Sequence, residues 1–457
     1  MEEKLKIIKY SPPPSDLPIY GQADPKEVCF FGRTNYESEF EIKKYIFGIK
    51  RNDRKRHMYI IGKSGVGKTK LLELLLRQDI SCGYGICLMD SHGDIINNIL
   101  DFIPEERIQD VVIIDPSDIN WPVSFNPLKN VSPEMKHQTT QGFIDVLKKQ
   151  FNDSWTPQLE YIFRFTCLAL LDYPNATMRG MISILTDRNY RQKVVEHIQD
   201  KTVKRFWTIE FTDWLEKFNT EAIVLIVNKI EQFLSNPLLH HIFDQQENKI
   251  DIEKIMNKQK ILLINLSKGK LGEENSSFFG SMLVAKIYQA GIGRASIRDY
   301  ERKDFYLYID EFQNMATDTF INILSESRKY GLALTMAHQY RAQLQPQILA
   351  TIMGNVATTI VFRIGGDDAF AMEKEMTPVF KAKDMINLGV KEFYIKMTID
   401  GSVADPFSAE TLKILPSRHS SNREKIIEYS RRTYCAPIEE VKRKIAEEDS
   451  LISGGGI

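Results

Sequence analysis

Residues 62–69 read Gly-Lys-Ser-Gly-Val-Gly-Lys-Thr, directly after the apolar run Met58-Tyr59-Ile60-Ile61 and directly before Lys70-Leu71-Leu72-Glu73-Leu74-Leu75-Leu76. No other feature constrains the fold as much: a buried strand must feed the glycine-rich turn, and a helix must leave it. In such a turn successive backbone N–H groups point inward at phosphate oxygens, and the helix N-terminus adds its partial positive charge. Gly62, Ser64, Gly65, Val66 and Gly67 form the cradle, Lys68 reaches the β- and γ-phosphates, and Thr69 offers its hydroxyl to Mg²⁺. A turn without a ligand has no need of three glycines, a lysine and a threonine at these offsets. The chain is therefore expected to bind ATP or another nucleoside triphosphate together with Mg²⁺.

At 457 residues the chain is too long for one ordinary core, and two or three domains are expected. Its 43% hydrophobic and 26% charged residues are those of a soluble globular protein. The 60 basic and 61 acidic residues nearly cancel, so net charge does not advertise nucleic acid. A translocase needs only a basic lining, however, and its surface elsewhere can be neutral. Cys29, Cys82, Cys87, Cys167 and Cys435 form no CxxC pair and no ligand spacing, which suits free thiols in a reducing compartment. The longest apolar stretches, Phe165–Leu171 and Ala222–Val227, fall well short of a bilayer span. The start Met1-Glu2-Glu3-Lys4-Leu5-Lys6 is no signal peptide. A cytoplasmic protein is expected, held at a membrane only through partners.

Six short runs read as buried strands: Ile86–Met89, Val111–Ile114, Ile261–Ile264, Phe305–Ile309, Ala333–Met336 and Thr358–Phe362. Each is apolar without strict alternation, as in a sheet covered by helices on both faces. Helical patterns lie between many of them; Phe279, Met282, Leu283, Ile287 and Ala290 make one face, with Asn275 or Ser276 as N-cap. The fold class is α/β: a core with a mostly parallel sheet. From Leu128 to Lys258 the strand signal disappears, and Tyr161, Phe165, Phe206, Trp207, Trp214, Phe218 and Phe233 recur at helical spacing, the pattern of helix packing. The expected division is a flexible N-terminal arm over 1–28, nucleotide-binding core over 29–127 and 259–415, an all-α insert over 128–258, and a helical tail over 416–457.

The acidic half of the site is Phe305-Tyr306-Leu307-Tyr308-Ile309-Asp310-Glu311, a strand ending in adjacent carboxylates. Asp310 suits Mg²⁺, which takes few protein ligands, and Glu311 suits a water lined up on the γ-phosphate. An acidic helix start would give the same pair, but not after five apolar residues in a chain that carries a phosphate loop. Gln339, closing the strand Ala333-Leu334-Thr335-Met336-Ala337-His338, brings an amide toward the γ-phosphate. Arg328 fits an arginine offered to a neighbouring copy's site, since a developing phosphoryl charge is met well by a permanent cation. A solvated helix residue fits Arg328 equally on spacing, and Arg363 is the second candidate. Asp90, His92 and Asp94 read as a turn after the second core strand or as a loop near Mg²⁺ or a pore. The basic run Lys50–Arg56 reads as a solvated loop or a contact to phosphate or a neighbouring subunit.

Residues 48–132 resemble the HerA/FtsK superfamily, in particular the conjugative coupling-protein branch (TraD/TraG-like type IV secretion ATPases). The resemblance rests on Phe47-Gly48-Ile49, Asp53-Arg54, the loop itself, Met89-Asp90-Ser91-His92-Gly93-Asp94, Asp115-Pro116-Ser117-Asp118 and Phe125-Asn126-Pro127-Leu128. It continues through Asn265-Leu266-Ser267-Lys268-Gly269, Asp310-Glu311-Phe312-Gln313-Asn314, Arg328-Lys329-Tyr330-Gly331 and His338-Gln339. It implies a RecA-like motor interrupted by an all-α domain, assembling as a hexameric ring that pumps DNA, with type IV secretion or relaxosome proteins as partners. By position it assigns ATPase roles to Lys68, Thr69, Asp310, Glu311 and Gln339, and the trans role to Arg328. Ser91 stands where the branch usually has proline, which touches only local turn geometry. Membrane-anchored coupling proteins begin with transmembrane helices; none is read in these residues, so docking through a partner or a soluble translocase is expected. The function expected first is an ATP-driven DNA translocase of the coupling type. Its rivals are a HerA-like motor in DNA end processing and a protein-directed ATP switch that never moves along DNA.

Overall fold

The computed structural model describes residues 8–37, 44–151, 154–213, 221–417 and 420–453. They form two compact units. The first comprises Met1–Val112, Lys254–Ile264 and Arg294–Ile426, and the second Ile113–Glu253, Asn265–Gly293 and Ile427–Ile457.

The first unit holds most of a mixed sheet. Its strands are β1 (Val28–Thr34), β2 (Ile46–Lys50), β3 (Met58–Ile61), β4 (Gly85–Asp90), β5 (Val111–Ile114), β6 (Ile261–Asn265), β7 (Phe305–Asp310), β8 (Leu332–His338), β9 (Thr358–Val361), β10 (Glu392–Lys396) and β13 (Phe407–Thr411). They lie in the order β2-β1-β13-β10-β9-β3-β8-β7-β4-β6-β5, while β11 (Thr398–Ile399) and β12 (Ser402–Val403) pair as a separate ribbon. Neighbours from β9 through β3, β8 and β7 to β4 are parallel. Every residue of these five strands is buried, the reason their sequences run apolar without alternating. All six strand runs read from the sequence are present. The antiparallel flank formed by β10, β13, β1 and β2 is an addition to that reading.

Parallel register brings the functional strand ends to one edge. Ile61 pairs with His338, and Asp310 with Ala337, so the loops after β3, β7 and β8 leave side by side. The loop after β4 leaves beside that of β7, because Met89 pairs with Ile309.

The lead-in expected to be flexible is tied to this unit where it is described. Tyr20 N–H donates to Ile46 O at 2.8 Å, Gly48 N–H to Pro18 O at 3.0 Å, and Tyr394 Oη to Lys9 O at 2.8 Å. Residues 1–7 lie outside the described residues.

The second unit is helical. Lys136–Phe151, Pro157–Asp172, Glu221–Leu234 and the long Glu273–Gly293 are its larger helices. Glu273–Gly293 packs against Lys136–Phe151 so closely that a Cβ on Gly142 would stand 3.0 Å from Gln289 Nε2 and 3.2 Å from Ala285 Cβ. The helix starts at Glu273 rather than at an Asn275 or Ser276 cap; Ser276 Oγ instead donates to Leu266 O at 2.7 Å. Its residues are buried nearly all round, and it groups with the helical unit instead of the core span 259–415 where the sequence reading placed it.

The aromatic stripe is packing. Phe165 stacks on Phe206 with centroids 4.5 Å apart, Tyr161 stands 4.8 Å from Phe165, and Phe233 stacks on Phe278 at 3.8 Å. Trp214 and Phe218 lie outside the described residues, as do Arg418 and Gly454-Gly455-Gly456. Within the expected tail, Arg431 pairs with Asp118 at 2.7 Å and Lys249 Nζ donates to Cys435 O at 3.0 Å, contacts inside this unit. The five cysteines are free.

Candidate active site

The phosphate loop has the backbone its sequence demands. Gly65 and Gly67 hold φ of 76° and 122°, a region that L side chains rarely enter. Gly62 is needed for another reason: a Cβ there would lie 2.6 Å from Phe362 Cβ. Val66 is fully buried and its carbonyl accepts from Lys391 N–H at 2.9 Å, pinning the loop to the turn before β10. The helix Lys68–Ser81 then starts with Gly67 as N-cap and no side-chain cap, so its first N–H groups face the loop. Ser64 and Thr69 are exposed. Lys68 is buried, with Nζ donating to Gly62 O at 2.6 Å and Lys63 O at 3.0 Å. Burial pushes its pKa down, and the nearby Asp310 and Glu311 carboxylates act against that push.

Asp310 ends β7 with 4% of its surface exposed. Burial first, then the charges of Asp90 and Glu311, push its carboxyl up to about 7, while Lys68 and His92 oppose. Crowded buried carboxylates of this kind gain most from a divalent cation, and Mg²⁺ takes few protein ligands. The donor set of Asp310 and Thr69 therefore fits Mg²⁺ held jointly with phosphate.

Glu311 is in the left-handed region, φ 55° and ψ 47°, where non-glycine residues are uncommon. The turn folds its carboxylate back between two amides. Gln339 Nε2 donates to Oε1 at 2.8 Å and Gln313 Nε2 donates to Oε2 at 2.7 Å. Gln339 follows His338, which pairs with Ile61 before the phosphate loop, and its partner is the Glu311 carboxylate. In the sequence Gln313 stands out only as a member of the run Asp310-Glu311-Phe312-Gln313-Asn314. Its role depends on the backbone turn at Glu311, for which the sequence carries no signal.

Two strand residues hold these loops together. Tyr59 Oη and His338 Nε2 are 2.6 Å apart between β3 and β8, and the His338 ring lies 5.0 Å from that of Phe312. Asp90 is a structural cap, its carboxylate accepting from the N–H groups of His92, Ile95 and Ile96 at 3.0, 2.8 and 3.1 Å. Gly93, with φ 88°, permits the bend. Ser91 Oγ donates to Asp310 O at 3.2 Å, a bond that the usual proline could not make.

Arg328 sits in the turn Ser327–Tyr330 before β8, exposed and without an ion pair among the described residues. The whole strand Leu332–His338 separates it from Gln339, about 20 Å at the usual rise. It therefore lies at the opposite sheet edge from its own phosphate loop. Arg363 follows β9, and its carbonyl accepts from Lys63 N–H at 2.9 Å, next to its own loop.

The basic run Lys50–Arg56 is a solvated loop only in part: Asn52 is exposed and Lys50 pairs with Asp400 at the surface. Arg51 and Arg54 are 5% and 1% exposed, and both point inward to Asp79 of the loop helix. Arg54 also donates to Tyr308 Oη, which in turn donates to Asp79. The Asp53 carboxylate accepts from Asp400 and Gly401 N–H at 2.9 and 3.0 Å. The buried charges Arg51, Asp53 and Arg54 find partners far away in sequence.

A sheet with its phosphate loop on a central strand and an Asp-Glu pair two strands away defines a RecA-like P-loop nucleoside triphosphatase. The profile of the type IV secretion-system coupling protein DNA-binding domain matches residues 46–376, most of the chain, and the protein belongs to that family. Family and fold are those that the motifs implied.

Among solved structures the bacterial conjugative coupling protein TrwB (TrwBdeltaN70, unbound) is similar at a TM-score of 0.58 and 16% identity, covering 82% of this chain and 89% of that one. TrwB in complex with ADP and Mg²⁺ matches at 0.58 and 16%, covering 83% and 90%. VirB4 of Thermoanaerobacter pseudethanolicus matches at 0.53 and 12%, covering 78% and 89%. No curated protein matches. Among the described residues no helix is long and apolar enough to cross a membrane.

Proposed function

We propose that this protein is an ATP-hydrolysing motor that moves DNA, of the type IV secretion coupling class. The observation that carries the reading is Glu311, fixed between two amides at the end of β7 and next to Asp310, at the sheet edge that also bears Lys68. That placement suits water activation beside a bound triphosphate. The water oxygen bonds to the γ-phosphorus, the bond to the β,γ-bridging oxygen breaks with its electron pair on ADP, and Glu311 takes the water's proton. Lys68, drawn from the Gly62 and Lys63 carbonyls, neutralises phosphate charge, and Gln339 orients the γ-phosphate or the water. Asp310 and Thr69 would hold Mg²⁺, which supplies further charge neutralisation when bound; TrwB's complex with ADP and Mg²⁺ supports the same ligands here.

Turnover is completed by Arg328 from a neighbouring copy. Its exposure and its place at the far edge from its own loop support that role, and the resemblance supports a ring of six. DNA passes through the ring, and the helical unit is the natural surface for relaxosome or secretion partners, which would also bring the motor to a membrane. Steady-state ATP hydrolysis with and without single- and double-stranded DNA, with Glu311→Gln as the blank, tests the reading. DNA-stimulated turnover that the variant lacks is expected. Turnover indifferent to DNA across a range of salt would favour a protein-directed switch.

A further inference from the structure

Both oxygens of the Glu311 carboxylate are engaged by neighbouring amides, Oε1 by Gln339 and Oε2 by Gln313. The two amides are not equivalent. Gln339 closes β8 at the edge that faces the phosphate loop, so its side chain has a second acceptor once a γ-phosphate is present. Gln313 belongs to the short 3-10 turn Phe312–Asn314 that begins at Glu311 itself. Phe312, at the start of that turn, is fully buried against His338 and Phe320. One amide is thus free to change partner, while the other is anchored to the same rigid turn as the carboxylate.

We infer that Gln313 is a positioning residue for Glu311, an inference that rests on Glu311 being the base for hydrolysis. When Gln339 turns to the nucleotide, Oε1 is released and Oε2 stays with Gln313. The carboxylate then cannot rotate freely about its terminal torsion, and Oε1 is the oxygen presented to the water. A carboxylate held on one side in this way meets the water in a single geometry, and a loss of about 1 Å in placement can cost on the order of 10²-fold in rate. Gln313 touches neither nucleotide nor water in this scheme and acts through Glu311 alone.

The test uses the full chain with Gln313→Ala and the nearly isosteric Gln313→Met, each alone and combined with Glu311→Gln. Nucleotide affinity, single-turnover ATP cleavage and melting temperature are measured for every variant. Either substitution at 313 alone is expected to lower kcat about 10- to 100-fold, with KM and nucleotide affinity nearly unchanged. In the Glu311→Gln background the same substitutions add no further loss, because the group through which Gln313 acts has gone. An unchanged or raised kcat in both single variants overturns the inference while leaving Glu311 as the base. A loss of the same factor in both backgrounds also overturns it, since that marks a merely structural role. If Glu311→Gln alone keeps full turnover, Glu311 is not the base, and the function proposed for the site falls together with this inference.

Discussion

Arg54 Nη1 donates to both oxygens of Asp79, at 2.9 and 3.0 Å, where neither side chain reaches water. The pair joins the segment before β3 to the helix that leaves the phosphate loop. Arg51 adds a second guanidinium at 2.6 Å, and the rings of Tyr84 and Tyr306 cover the two cations at 4.0 and 4.2 Å. Asp79→Ala would leave two buried guanidiniums without a counter-charge. A loss of about 3–5 kcal/mol in unfolding free energy is expected, measured by denaturant titration. Arg54→Lys should recover little of the fork geometry and fall close to Arg54→Ala.

Lys68 rests on two loop carbonyls and is expected to exchange them for phosphate oxygens. ATP at about 100 times its Kd should raise the stability of the native chain by about 2.7 kcal/mol. Lys68→Ala should melt at the same temperature with and without ATP. A thermal shift in the variant equal to that of the native chain would remove Lys68 from the phosphate site.

Arg328→Ala should bind ATP normally and lose turnover by about 10³–10⁵-fold if its guanidinium completes a neighbour's site. Mixing distinguishes this from a defect in its own protomer. Arg328→Ala protomers mixed with Lys68→Ala protomers juxtapose an intact loop and an intact arginine, so part of the activity should return. Two inactive variants that stay inactive on mixing would assign Arg328 to fold or assembly.

His57 and His338 are buried and held neutral. Burial lowers their pKa values to about 4 and about 3. Their environments differ: Leu334 N–H donates to His57 Nδ1, and His338 meets Tyr59. Below the ordinary histidine value of about 6.5 the unfolded chain binds protons that the folded chain does not. Stability is therefore present in full above pH 6.5 and falls as the pH drops toward the folded values. Each histidine should cost about 2 kcal/mol between pH 7 and pH 5. Denaturant midpoints across that range should show the slope, and His57→Gln should reduce it.

The nucleotide half of the molecule was legible because its chemistry is local. Gly65, Gly67 and Lys68 must be neighbours in sequence to be neighbours at a phosphate, and Asp310-Glu311 must follow an apolar strand. The parallel strands were legible because burial on both faces leaves apolar runs. The antiparallel flank was not legible: its strands are short apolar runs, such as Phe393-Tyr394-Ile395 between Glu392 and Lys396, and no motif marks them. The run Lys50–Arg56 misled for a physical reason. A charge cluster is solvated unless something distant pairs with it, and Asp79, Tyr308 and the Asp400-Gly401 turn are distant. Gln313 was hidden because its role needs the left-handed backbone at Glu311. The long helix Glu273–Gly293 was seen, but buried nearly all round it offered no face that told which unit it joins.

The bonds from Tyr20 to Ile46 and from Gly48 to Pro18 fall on β2, the outermost strand of the sheet on that side. They occupy the backbone groups through which another chain would add a strand, and an uncovered edge of that kind invites ladder-like growth. The lead-in therefore acts as a selvedge on this fabric. Copies of the protein do not lengthen the sheet at β2 while the lead-in stays in place. A contact between copies on this side would have to be made by side chains and loops, not by a shared ladder of backbone bonds.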